Sequence, residues 1–219
     1  MLKRAQPLIT LCVIALVAYA LYLTFLVVPN ERVMGPVQRI FYFHVGRAFA
    51  AYCSIAVVLV SSIAYLSTYK SSFDIVNHAA GEVGFLFCSI VLFTGMIWGY
   101  SAWNTPFRLE PRLISFLLLW LLFLGFNLLR VFGDEEKMGK HCAALGILGA
   151  ITVPLVVYSI KLLPQFAQLH PQVVERGGLH DSSMKHTFLM ASLAVIALQF
   201  LLVWFRARIG FIEQKRRLA

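Results

Sequence analysis

The residues able to do chemistry are six histidines, four tryptophans and the arginines near them. The stretch Trp98–Ser115 reads WGYSAWNTPFRLEPRLIS. It holds two of the four tryptophans, two prolines, two arginines and a glutamate. Trp98 and Trp103 supply flat apolar rings, Arg108 and Arg112 supply cations, and Glu110 supplies one carboxylate. Together these make a platform for a flat, anionic, apolar ligand. An aromatic belt with snorkelling arginines accounts for the same composition, so this stretch alone leaves both readings open. Two histidines stand elsewhere at comparable positions. His44 is followed one helical turn later by Arg47, and His170 precedes Pro171.

Other chemistries are absent from the sequence. Cys12, Cys53, Cys88 and Cys142 form no C-x-x-C or C-x-x-C-H motif and read as small apolar core residues. No Walker loop, nucleophile elbow or H-E-x-x-H zinc site occurs.

The elements that must position these groups are membrane helices. Of the 219 residues, 60% are hydrophobic and 13% charged, with a mean hydropathy of +0.79. A soluble domain of this length cannot hide that much apolar surface. Apolar runs predict six spans: Leu8–Val28, Phe41–Leu66, Val83–Ile97, Arg112–Val131, Cys142–Leu163 and Thr187–Phe205. The first continues past Ala18-Tyr19-Ala20, a mimic of a cleavage site, and reads as an uncleaved helix. Ser67 to Glu82 reads as a polar loop, and Asp134 to Lys140 as a polar turn. Thr105-Pro106 resembles a cap with proline in the first helical position, predicting a short interfacial helix that Pro111 ends. Pro154 is expected to kink the fifth span. The predicted fold is all-α: a six-helix polytopic membrane bundle formed by residues 1–219 as a single domain.

The net charge of +9 follows the ends of the apolar runs, where it meets lipid headgroups, and no nucleic-acid motif accompanies it. Six spans place both termini on one side. That side carries the larger share of the 19 lysines and arginines, ending in Lys215-Arg216-Arg217, which predicts cytoplasmic termini. His44, Trp98–Ser115 and His170 then share the outer face, close enough for the two histidines to hold one ligand. Histidine is a common axial ligand of haem iron, and two of them flanking an aromatic platform fit an iron porphyrin. Arg47, Arg108 and Arg112 lie on the same side and suit its carboxylates.

With these residues in place the chain resembles the haem exporter protein C family of cytochrome c maturation, CcmC. The family's loop runs W-G-x-x-x-W-x-T-W-W-x-W-D-x-R-L-x-S. Trp98, Gly99, Trp103, Thr105, Arg112, Leu113 and Ser115 fall at matching places without a gap. Pro106, Phe107 and Leu109 stand where the family has tryptophans, and Glu110 where it has aspartate. Val45-Gly46-Arg47 follows His44 where the family tends to have a proline and a small residue. Leu162 and Leu163 replace a tryptophan pair. LGILGAITVPLVVYS in the fifth span is also similar to the family.

The resemblance implies a protein of the bacterial inner membrane that holds haem b transiently, as cargo, at the periplasmic face. It implies His44 and His170 at the iron, with Trp98, Trp103, Glu110, Arg108, Arg112 and Arg47 around the porphyrin. It implies delivery to a periplasmic haem chaperone of the CcmE type, beside an ABC-type ATPase and the membrane subunits of the maturation complex. The implied role is binding and transfer, not catalysis. Two alternatives belong to other classes: a small-molecule transporter subunit, and a structural subunit of the complex that has lost haem binding.

Overall fold

Within a bilayer the backbone must satisfy its own hydrogen bonds, and this chain does so with helices. The computed structural model describes residues 2–166 and 178–219. The helices are α1 (Leu2–Tyr22), α2 (Arg39–Thr68), α3 (Ser71–Trp103), α4 (Pro111–Phe132), α5 (Glu135–Leu162) and α6 (Ser182–Leu218). All six include stretches long and apolar enough to cross a membrane. The protein is a multi-pass, all-α membrane protein.

The joints are short and chemically specified. α1 widens into a π-helical turn over Leu23–Val27. In the link that follows, the Glu31 carboxylate accepts the backbone N–H groups of Met34 (2.6 Å) and Val33 (2.8 Å). These bonds, the one from Met34 foremost, hold the Glu31 carboxyl below the usual carboxylate range. A 3₁₀ turn at Pro36–Gln38 then leads into α2. Tyr69 turns between α2 and α3 in the left-handed region, φ 53°. Pro111 opens α4 in the first turn, where its missing N–H costs nothing. Asp181 caps α6 by accepting the Ser183 N–H at 2.7 Å.

α2 lies at the centre, packed on α3, α5 and α6, while α4 packs on α5 and α3, and α1 on α6. One core cluster joins α2 to α3, α4, α5 and α6 through Ile55, Val58, Phe87, Leu119, Phe123, Phe126, Val156 and Val195. A second gathers Phe41, Tyr42, Trp98, Met184 and Ala191 at the end where α2 begins. Small residues bring backbones together, as membrane helices prefer. A Cβ at Gly46 would stand 3.2 Å from the Ser192 Cα of α6.

Three details differ from the sequence expectation. First, the polar loop from Ser67 to Glu82 is mostly helix, because α3 begins at Ser71. Its polar residues are held by partners on other helices. Arg130 of α4 grips Asp74 with two hydrogen bonds, 2.6 and 3.0 Å, and reaches Asn77 at 3.1 Å. Asn77 in turn donates to Ser62 at 2.8 Å, and Arg206 of α6 pairs with Glu82. Second, α5 begins at Glu135, so most of the expected turn before Lys140 is helical. Third, no interfacial helix forms after Thr105-Pro106: residues 104–110 are non-helical, with bends at Asn104 and Pro106. α3 continues instead through Trp103, so both tryptophans of the stretch lie on its last turns. Asn104, left-handed at φ 54°, ends the helix with its N–H on the Tyr100 carbonyl at 2.9 Å.

Candidate functional site

Helical spacing places Phe41, His44, Val45, Ala48 and Tyr52 along one stripe of α2. That stripe forms one wall of a cavity of about 370 Å³ at the end of the bundle where α2 begins. Small-molecule sites occupy roughly 300–1,000 Å³, so the space is of ligand size. α3 contributes Val91, Gly95, Trp98, Gly99 and Trp103, and the 104–110 segment contributes Thr105 to Arg108 and Glu110. Arg112 and Phe116 come from α4, Val156, Ile160 and Lys161 from α5, and Phe188 from α6.

His44 is buried in this wall. Its Nδ1 lies 3.0 Å from the Thr94 hydroxyl of α3. Its ring meets Trp98 edge-on, with centroids 5.6 Å apart. Trp98, 2% exposed, also stands edge-on to Phe41 at 6.1 Å, and Phe41 stacks on Phe188 of α6 at 5.2 Å. The aromatic cluster therefore ties α2, α3 and α6 together as well as facing the cavity.

Residues 104–110 fold back onto α3, and Gly99 permits the approach. A Cβ there would sit 2.9 Å from the Thr105 carbonyl oxygen. The fold-back carries Glu110 inward, to 4% exposure. Glu110 occupies the cap position of α4, and its carbonyl accepts the Ile114 N–H at 2.9 Å, but its side chain makes no capping bond. Its carboxylate instead faces the Arg108 guanidinium at 3.7 Å. Arg108, Arg112 and Lys161 bring positive charge to the same cavity.

The structure thus gathers His44, Trp98, Trp103, Arg108, Glu110 and Arg112 around one space. Arg47 goes elsewhere. It lies over the Phe43 ring, 5.3 Å from its centroid, and lines a separate hollow with Phe25, Arg39 and Thr94. The one-turn spacing from His44 is real, but the turn carries Arg47 around to another face. His170 lies outside the described residues.

Several lining residues escaped the sequence reading. Lys161 stands at the end of a span, on the side of Arg112, and that position is a usable signal. Thr94, half-buried on α3 beside His44 and outside the lining of this cavity, is a hydroxyl within an apolar run, FCSIVLFTGMIWGY, where such a group needs a partner. Tyr52 and Phe188 carried no signal distinct from core packing.

Chemically, the cavity offers a ring-lined slot, one imidazole and a cationic border. Among the described residues no three His, Cys, Asp or Glu side chains converge to hold a metal ion. A metal bound here must bring most of its ligands with it, as a porphyrin does. The ring lining suits a flat apolar group, and the cationic border suits carboxylates.

The family described as CcmC, Heme exporter protein C, matches residues 1–219. Heme exporter protein C of Bradyrhizobium diazoefficiens is 30% identical over 202 residues, covering 92% of this chain and 74% of that protein. The Paracoccus denitrificans protein of the same name is 29% identical over 138 residues, 63% of this chain and 57% of its own length. The Escherichia coli K12 protein is 28% identical over 134 residues, 61% and 55%. The chain belongs to the Heme exporter protein C family.

Proposed function

We propose that this protein holds haem in the cavity beside His44 and delivers it for cytochrome c maturation, in keeping with the names its relatives carry. One observation carries the reading: a buried imidazole on α2, two indoles on α3, and arginines from the 104–110 segment and α4 border a single slot. His44 and His170 supply ligands to the iron. Trp98 and Trp103 contact the porphyrin, Arg108 and Arg112 neutralise its propionates, and Glu110 orients Arg108. Arg47, outside the cavity, is left out of this set.

In this reading haem b is transient cargo. The whole chain works as one six-span unit in the bacterial inner membrane, with both termini cytoplasmic and the cavity at the periplasmic face. It presents haem to a CcmE-type chaperone, beside an ABC-type ATPase and the membrane subunits of the maturation complex. The chain binds and transfers without making or breaking covalent bonds itself. Chain purified from haem-replete cells should carry a haem-type absorbance band and pass it to an apo-chaperone. A colourless protein that also fails to take up added hemin would favour a structural subunit or a transporter of another molecule.

A further inference from the structure

The environment of His44 fixes more than its position. A threonine hydroxyl has one proton to donate. That of Thr94 is directed at the Ile90 carbonyl, 2.7 Å away, with the Val91 carbonyl at 3.3 Å. The oxygen therefore presents lone pairs to His44 Nδ1 at 3.0 Å, and it is the ring that donates. The other tautomer would set two lone pairs against each other, or force the hydroxyl to abandon Ile90. Gly95, the next residue of α3, leaves room for the ring. A Cβ there would press on His44 Cε1 at 3.0 Å. Trp98, one turn further, holds the ring edge-on.

We infer that Thr94 is a positioning residue: it locks His44 in the Nδ1–H tautomer and so keeps the Nε2 lone pair available to a metal. This inference rests on the haem reading for the identity of the metal, but the tautomer itself does not. An imidazole that donates through one nitrogen is oriented and made more basic at the other, the usual arrangement behind a metal-ligating histidine.

The test uses the full chain in detergent, with ¹⁵N-labelled histidine and hemin as the probe. A His44→Gln sample assigns the His44 signals by difference. Wild type and Thr94→Ser should both show the Nδ1–H form and bind hemin equally. Thr94→Val, which keeps the shape without the hydroxyl, should show a tautomer mixture and about tenfold or greater weakening of hemin binding. Its thermal midpoint should stay close to that of wild type. Wild type in the Nε2–H form overturns the inference without any variant. Wild type that binds hemin, with Thr94→Val binding it equally, overturns the role of Thr94 alone. Wild type in the Nδ1–H form that binds no hemin overturns the haem reading, and the ligand role with it.

Discussion

Trp103 stands next to Trp98 across the end of α3, ring centroids 5.9 Å apart and planes inclined at 47°. Trp98 is a core residue, whereas Trp103 is only half-buried and borders the same cavity. The two rings therefore differ in what their loss should do. Trp103→Ala should weaken hemin binding while the protein remains abundant and folded. Trp204→Ala, on α6 beside Phe205 and Arg208, should change packing and leave hemin affinity intact. Titration of both variants, with thermal unfolding alongside, checks this. Equal loss of affinity from both would mean a general folding effect.

The Asp74–Arg130 pair at the other end of the bundle should behave as structure, separate from the site. The Arg130 side chain is 3% exposed, so Asp74→Ala strands a buried cation. Breaking such a pair costs about 3–5 kcal/mol. The variant should unfold at markedly lower temperature, and its folded fraction should bind hemin normally. Normal stability would show that the pair is dispensable.

The Glu31 link should be acid-sensitive. Its carboxyl is held below the ordinary value by the Met34 and Val33 amides, so the ionised form is the one the fold favours. This stabilisation is fully present above about pH 4.3, the ordinary carboxylate value. It is lost as pH falls through the depressed value. Glu31→Gln should lower stability near neutrality and flatten the acid limb of a stability–pH curve. An acid limb identical to that of wild type would remove Glu31 from this role.

Orientation is a separate prediction. The basic end of α6 should face the cytoplasm. A reporter fused after Ala219 should be active when it reports the cytoplasm. Activity confined to the periplasm would invert the proposed topology and put the His44 cavity at the opposite face.

Much of this was legible in the sequence because membrane spans announce themselves by length. The six apolar runs predicted six helices. Helix ends were harder to read. Asp74, Asn77, His78 and Glu82 look like loop residues in isolation. Their partners Ser62, Arg130 and Arg206 lie far away in sequence, and only tertiary packing brings them together. Thr105-Pro106 misled in the opposite direction. It carries a local signal for a helix start, but Gly99 lets the segment fold flat against α3, and no helix forms. In the site, the tryptophans, arginines and His44 were recognisable by residue type. The divergence of Arg47 from His44 depended on which side of α2 each neighbouring helix occupies. No local pattern encodes that.

The central claim is that haem binds in this cavity through His44, and hemin titration of the purified full chain tests it most directly. Wild type should develop the absorbance of a ligated haem and saturate. His44→Ala should lose that spectrum and bind at least tenfold more weakly, while a change at a distant histidine, His141→Ala, should have no effect. A His44→Ala protein that is folded and binds hemin with the spectrum and affinity of wild type would contradict the claim.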